Sequence, residues 1–342
     1  MAKKIKSEPD YPSITIVTPT LNSQNLLPNM LKSVLSQEYP KKVEILIVDG
    51  GSKDNTIEIA KNFGAKIIVD TKYGSAQAAM AIGLREAQGE LVAYVDTDNI
   101  LSSKTWLMKM VKPFMFENRD VLVGAQPLWY HYDKSFSGVD RYYSLIGVDD
   151  PLAYYSNKRD RLLQTENNWK LPGQVIKNTA NYLIVKFNKR TFPTMGCNGF
   201  IVNRKIVLNS MCNPEKFFHT DVLLDLLNLD YNTYAMVKTD ITHIHAKSIG
   251  VYVRKKIRRA RDYASTKNLR RYTLTQQSNK KTLPQTLLFA LTIFQPAYLA
   301  IKNYRKLPDT AWFFHPILFP LVGFSYAFTL PAYLLAAKSS HK

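Results

Sequence analysis

Four short aliphatic runs, each leading into a stretch with helical spacing or a turn, set the tightest limit on how this chain folds. Ser13–Thr18 (SITIVT) and Val43–Val48 (VEILIV) end in Pro or in Asp-Gly-Gly, the punctuation expected after a buried strand. Between Leu26 and Gln37, Leu27, Met30, Leu31, Val34 and Leu35 recur at helical intervals, and Asn55–Asn62 repeats the pattern before a third strand at Lys66–Val69. An Ala-rich helix at Ser75–Ala87 precedes a fourth strand, Leu91–Val95, which runs into Asp96. Strands that alternate with helices predict an α/β fold, a mostly parallel sheet flanked by helices, with its ligand at the carboxyl ends of the strands.

The rhythm loosens after about residue 120. Val121–Ala125, Phe200–Val202 and Tyr234–Lys238 read as strands, Arg204–Ser210 and His219–Leu229 as helices, and Asp133–Pro172 as a helical or irregular stretch rich in Tyr, Asn and Asp. A sharper change comes near residue 250. The chain carries 46 Lys+Arg against 27 Asp+Glu, a net charge of +19, and between Arg254 and Lys281 the only acid is Asp262. Beyond that, Leu283–Ile301 and Ala311–Ala337 contain no Asp, Glu, Lys or Arg and are long enough to cross hydrocarbon. We therefore divide the chain into an α/β domain at 1–250, a basic amphipathic segment at 251–281 and apolar helices at 282–342. Two cysteines, Cys197 and Cys212, exclude a disulfide scaffold, and no CxxC or Cys/His spacing suggests a zinc module. The N-terminal MAKKIKSEPDYPS lacks the apolar core of a secretory signal, so the α/β domain is expected to face the cytoplasm.

Acids cluster at the strand ends. Asp49 closes EILIVD, and Asp96 and Asp98 lie in YVDTDN, where one intervening residue, Thr97, lets both carboxylates approach a single hard cation such as Mg²⁺ or Mn²⁺. The same four residues, Asp-Thr-Asp-Asn, equally form an Asx turn after a strand. Cys197, with no His or acid beside it in sequence, reads as a pocket-lining or buried thiol.

In order and spacing, SITIVTPTLN, VEILIVDGGSKDNT and GELVAYVDTDN together resemble the nucleotide-sugar-binding half of family 2 glycosyltransferases, which have the Rossmann-like GT-A fold. The resemblance runs from about Ile14 to Asp240. It implies that Pro19, Thr20 and Asp49 form a nucleobase pocket, Asp49 otherwise capping its own turn. It also implies that Asp96 and Thr97 approach the ribose or sugar and that Asp98 bears most of the divalent ion. Lys72, Gly74 and Gln77 are implied diphosphate or sugar contacts, although the Arg-Asn pair of many relatives is missing from GSAQAAMAIG. Met195–Phe200 resembles the Gly-rich loop lining the sugar pocket, with Gly196 and Asn198 as contacts. Asp221, at the start of a helix in His219-Thr220-Asp221, matches the family's general base and otherwise reads as an N-cap. His243 and His245 alternate in THIHAKS, and His245 is the assigned third metal ligand. The implied reaction is an inverting displacement: Asp221 deprotonates an acceptor hydroxyl, which attacks the anomeric carbon of a UDP- or GDP-sugar while the cation takes up diphosphate charge.

A helix over 251–272, with Val253, Ile257, Ala260 and Ala264 on one side and Arg or Lys around the rest, suits an anionic membrane surface, and the neighbouring apolar runs suit either a spanning hairpin or an in-plane pair. In relatives a basic segment here also borders the diphosphate, which implicates Arg254, Lys255 or Arg258. Placement beside a membrane favours a glycan or lipid-linked acceptor. A polyprenyl phosphate, already anionic and needing no base, is the enzymatic alternative. Two further alternatives are a nucleic-acid-binding protein, disfavoured because RRM, KH and zinc signatures are absent, and an inactive assembly subunit.

Overall fold

The computed structural model describes residues 10–244, 246–272, 285, 288, 289 and 292–339. The first half is built from β1 (Ile14–Thr20), α1 (Leu27–Leu35), β2 (Glu44–Asp49), α2 (Thr56–Asn62), β3 (Lys66–Val69), α3 (Ala76–Glu86) and β4 (Leu91–Tyr94). Then come β5 (Asn99–Leu101), α4 (Trp106–Phe116), β6 (Leu122–Tyr130), α5 (Gly138–Ile146), α6 (Pro151–Tyr155), β7 (Gln174–Asn178) and β8 (Tyr182–Lys186). The remaining elements are β9 (Phe200–Asn203), α7 (Arg204–Val207), α8 (His219–Asn228), β10 (Thr233–His243), α9 (Ile249–Thr266), α10 (Phe294–Tyr304) and α11 (His315–Ser339).

The strands form one sheet in the order β3-β2-β1-β4-β9-β6-β10-β8-β7, with β5 pairing β10. From β3 to β4 every pairing is parallel, as the sequence rhythm predicts. Beyond β4 the sheet is mixed: β9 runs antiparallel between β4 and β6, and β10 pairs β6 in parallel but β8 and β5 antiparallel. The carboxyl ends of β1, β2, β3, β4, β6 and β10 consequently share one edge.

Helices cover both faces, which is why the central strands read as continuous apolar runs. Alternate side chains divide between two cores: Ile14, Ile16, Ile45 and Ile47 pack with α1, α4 and α5, whereas Val17, Leu46 and Val48 pack with α3. The second core also takes Val222, Leu223, Leu226 and Leu227 of α8. Glycine is required where α3 crosses β1, since a Cβ on Gly83 would lie 2.2 Å from Val17 Cγ1.

The basic segment and the apolar end are part of this packing. Tyr252, Ala300, Trp312, Leu318 and Val322 belong to the same core as α1, α4 and α5. The buried stripe of α9 is Tyr252, Lys256, Ala260 and Ala264; the expected Val253 and Ile257 lie one position around the helix and are only partly covered. Lys256 takes the inner position because its ammonium donates to the Asp149 carbonyl and to the Asp149 carboxylate at 2.8 Å, while Arg259 pairs with the same carboxylate. The apolar end is fastened by polar contacts. Asp309 accepts from Tyr132 Oη at 2.6 Å and pairs with Arg141 at 2.9 Å, Asn303 accepts from Thr165, and the His315 ring lies between Tyr142 Oη at 2.9 Å and Tyr155 Oη at 2.8 Å. Among the described residues, one segment, Thr310–Thr329, is long and apolar enough to cross a bilayer. Part of the first apolar run, 283–301, lies outside the described residues, and α10, at about 1.5 Å per residue, is too short to span.

Candidate active site

The strand ends set out three groups along one edge. At the end of β2, Asp49 is fully buried and has both oxygens engaged. Its Oδ1 accepts from Gly51 N at 2.9 Å and Ser52 N at 2.7 Å, and its Oδ2 from Thr20 Oγ1 at 2.8 Å and Ser52 Oγ at 2.6 Å. This is the turn-capping arrangement, and it locks β1 to β2 directly under Pro19 and Thr20. A nucleobase contact through the Asp49 carboxylate would have to displace one of these donors. Lys72 and Gly74 occupy the exposed turn after β3, where Asp70 Oδ1 accepts from Lys72 N at 3.1 Å and Gly74 adopts φ +59°. No described contact joins that turn to the carboxylates of the second group.

That second group is the Asp96–Asn99 turn after β4. Asn99 N donates to the Asp96 carbonyl at 2.9 Å, and Asp96 N donates to Asn99 Oδ1 at 3.0 Å, a backbone β-turn closed by the Asn99 side chain reaching back to its first residue, rather than an Asx turn, in which the first side chain accepts from the N–H two residues on. It does not exclude a cation, because these bonds use backbone groups and Asn99, leaving the Asp96 and Asp98 carboxylates directed elsewhere. Burial, reinforced by the charge of Asp98, pushes the Asp96 carboxyl up to about 6, despite the opposing effect of His243. Two acids held this close repel, and a divalent ion is the ordinary remedy. Asp98 lies 3.2 Å from His243 Nε2 and 3.9 Å from Lys255 Nζ. Of the three basic candidates on α9, Lys255 thus faces the turn, while Arg254 and Arg258 are exposed. Of the paired histidines, His243 meets Asp98 because β10 sets it opposite Asn99 of β5; His245 lies outside the described residues. Among the described residues, no set of three His, Cys, Asp or Glu forms a complete cage. A cation here would draw its remaining ligands from water or substrate oxygens. The donor set, two carboxylates, suits a hard ion such as Mg²⁺ or Mn²⁺.

The Gly-rich loop 196–199 joins this turn to the third group. Asn198 Oδ1 accepts from Asn99 Nδ2 at 3.2 Å, and Gly196, Asn198 and Gly199 all have positive φ. A Cβ on Gly196 would lie 3.0 Å from His219 Cδ2, so this glycine makes room for a histidine at the N-terminus of α8. Gln77 of α3 ties that end down: its Oε1 accepts from His219 N at 2.9 Å and lies 3.1 Å from His219 Nδ1. Burial, with the nearby Arg270, pulls His219 down to about 4, so the ring is neutral near pH 7.

Asp221, two residues on, is fully buried. Its Oδ1 accepts from Tyr272 N at 3.1 Å and Arg270 Nε at 3.3 Å, and its Oδ2 from Arg271 N at 2.8 Å. Arg271 is also bidentate on Asp225, at 2.9 and 2.7 Å, and the Arg270 guanidinium stacks on Phe218 at 4.3 Å. The segment that follows α9 therefore closes over the proposed base. Neither Arg270 nor Arg271 was singled out by the sequence, since their acidic partners lie some fifty residues upstream. A hollow of about 360 Å³ between the starts of β6 and β10 is at the opposite edge of the sheet and plays no part here.

The sequence model described as "Glycosyl transferase family 2" matches residues 15–181. Among curated proteins, "Glycosyltransferase AglE" of Haloferax volcanii is 30% identical over 143 residues, 40% of this chain and 46% of that protein. A "4,4'-diaponeurosporenoate glycosyltransferase" of Staphylococcus aureus is 26% identical over 145 residues, 41% of this chain and 38% of that protein. The matched region thus spans less than half the length of either relative. Among solved structures, a mannosyltransferase of Pyrobaculum calidifontis, determined in complex with GDP-Man and Mn²⁺, superposes with a TM-score of 0.53 at 14% identity, covering 94% of this chain and 88% of its own. The shared architecture is the GT-A fold, a sheet flanked by helices.

Proposed function

The chain belongs to glycosyl transferase family 2 through residues 15–181, and on that premise we propose that it moves a sugar from a UDP- or GDP-sugar to a hydroxyl of a glycan or lipid-linked acceptor, with inversion. The observation that carries the reading is the Asp96–Asp98 pair at the carboxyl end of β4, its first acid raised to about 6 by burial and like charge. Asp96 and Asp98 would hold Mg²⁺ or Mn²⁺, which would relieve that repulsion and supply positive charge for the diphosphate as the nucleotide leaves. A GT-A neighbour that holds GDP-Man and Mn²⁺ supports both donor class and cation. Lys255, beside Asp98, adds a positive charge on the side of the diphosphate.

Asp221 is the proposed general base, acting once the 270–272 segment has withdrawn. A second reading rests on that enclosure: a carboxylate already occupied by two backbone donors and a guanidinium suits an acceptor that needs no base, a polyprenyl phosphate. Membrane association is part of either proposal. It is supported by the exposed Phe294, Tyr298 and Ile301 of α10, by Phe313 in contact with Tyr304, and by Ile317, Phe324 and Phe328 of α11, beside the cations Lys302, Arg305 and Lys306.

The test is a thermal-shift and donor-hydrolysis screen across UDP-, GDP- and dTDP-sugars, with Mn²⁺, Mg²⁺ or EDTA. A metal-dependent shift with one nucleotide series is expected. Absence of any shift or hydrolysis with every donor overturns the reading, and an oligonucleotide-dependent shift insensitive to nucleotide and metal favours the nucleic-acid alternative.

A further inference from the structure

We propose that Asn99 and Arg161 are positioning residues for the cation-binding turn, Arg161 acting through Asn198; the inference rests on the cation reading of Asp96 and Asp98. The side chain of Asn99, fully buried, is the hinge of the arrangement. One end accepts from Asp96 N at 3.0 Å and the other donates to Asn198 Oδ1 at 3.2 Å, so this amide couples the turn to the 196–199 loop, alongside the Asn198 backbone N–H that donates to the Asp96 carboxylate. Asn198 is fixed in turn. Its Nδ2 donates to Tyr130 Oη at 3.3 Å, its carbonyl accepts from Arg161 Nη2 at 2.8 Å, and its backbone sits at φ +54°, a region Asn tolerates better than most residues.

Arg161 is the anchor. It is buried, its guanidinium lies over the Tyr130 ring at 4.1 Å, and its Nη1 donates to Tyr130 Oη at 2.7 Å and to Asp160 Oδ2 at 2.8 Å. Asp160 offsets its charge and also accepts from Gln126 Nε2 at 2.6 Å. Both terminal nitrogens of the guanidinium are therefore committed to neighbours within the protein, the buried Nε having no hydrogen-bond partner, and the group acts on the site through Asn198.

The sheet does not require this linkage. β4 and β9 are already joined at Tyr94 and Phe200, and Gly199 N donates to the Tyr94 carbonyl at 2.7 Å. The Asn99–Asn198 bond lies beyond that last rung, where the chain leaves the sheet and turns into the site. What it adds is the relative placement of the acidic turn and the loop facing it. Partners that orient metal ligands from behind are typically worth about 10–100-fold in metal affinity.

The experiment measures Mn²⁺ affinity of the full chain by calorimetry, alone and with GDP or UDP, beside the melting temperature. Asn99→Ala is expected to weaken Mn²⁺ binding about 10–100-fold. Asn99→Ser, too short to span both partners, is the milder variant should Ala impair folding. Arg161→Lys, which keeps the charge against Asp160 but cannot reach Tyr130 Oη and the Asn198 carbonyl together, should weaken it to a lesser extent. Asn203→Ala removes a buried cap remote from the turn, whose Nδ2 donates to the Arg119 carbonyl, and is expected to lower the melting temperature while leaving Mn²⁺ affinity alone. Parent-like affinity in Asn99→Ala or Asn99→Ser overturns the inference while the cation reading stands; so does an equal loss in Asn203→Ala. A parent chain that binds no Mn²⁺ with or without nucleotide overturns both.

Discussion

Replacing Asp221 by Asn separates what this acid does for the fold from what it does for chemistry. In the parent, Oδ1 and Oδ2 accept two backbone N–H groups, from Tyr272 and Arg271, and the Arg270 guanidinium. An amide has one acceptor oxygen. If it serves Tyr272 N, the new NH₂ points at Arg271 N, donor against donor, and Arg270 loses its anionic partner. Leaving one buried donor unmet costs about 1–3 kcal/mol and a hydrogen bond to a charged group contributes about 1.5–3. Partial relaxation of the segment brings the combined cost to on the order of 3 kcal/mol. Since 1.4 kcal/mol is tenfold, local opening of 270–272 should become about 100-fold more frequent. Amide hydrogen exchange at Arg271 and Tyr272 reads this directly. Protection of those two amides within about threefold of the parent would refute the argument that Asp221 holds the segment down. The same variant decides the chemistry: with a hydroxyl acceptor, transfer falls about 10²–10⁴-fold while donor binding stays nearly intact, whereas a phosphate acceptor tolerates the change.

Cation binding should depend on pH through Asp96. At the proposed cation site Mn²⁺ would bind the ionised pair, so affinity should rise about tenfold per unit below pH 6 and level off above it, with proton release detectable by calorimetry in buffers of different ionisation enthalpy. The metal-free protein carries the opposite signature. Asp96 gives up its proton near 4 when unfolded and near 6 when folded, so the folded state holds more protons in that window and stability falls as pH rises through it. Lys256, held down at about 8 by burial, gives an asymmetric pair: Asp149→Ala strands a buried ammonium and should cost about 3–5 kcal/mol in chemical denaturation, whereas Lys256→Met, which leaves Asp149 with Arg259, should cost far less. Sedimentation with anionic vesicles should carry the chain down, and Phe294→Glu with Tyr298→Glu should reduce that binding at least tenfold; unchanged binding would remove α10 from the membrane reading.

In the parallel half of the sheet β1, β2 and β4 were legible because they are buried on both faces and bounded by Pro, Gly and Asp, whereas the edge strand β3 is only partly covered and was read from its aliphatic run. β3 has the predicted bounds, and β1, β2 and β4 differ by a residue or two. The elements that escaped lack that signal. β7 (QVIKN) is exposed along its whole length and exists by pairing with β8, and β5 is three residues that add to β10 at the site. Spacing identified Asp96 and Asp98 but not their supports. Arg161 lies in an aperiodic stretch, and its partners Tyr130 and Asn198 are over thirty residues away in either direction. Strand alternation limits the face shared with the site to one of His243 and His245; the register of β10 against β5 sets His243 beside Asp98, and His245 lies outside the described residues. The helical wheel of α9 mistook Lys256 for a solvated charge, because a lysine can be buried wherever an acid waits, and Asp149 comes from a distant loop.

Seating of the apolar end has a practical consequence. α5 carries Asp140, which accepts from Ala246 N at 2.9 Å just beyond the end of β10, and also Arg141 and Tyr142, which grip Asp309 and His315. Shortening the gene before α9 would bare Tyr142, Tyr155 and the acid that neutralises Lys256, and would remove the Arg270–Tyr272 cover from Asp221. Such a fragment would precipitate or drift from its native site geometry, so a polypeptide that keeps α9 to α11 is the sounder starting point for enzymology.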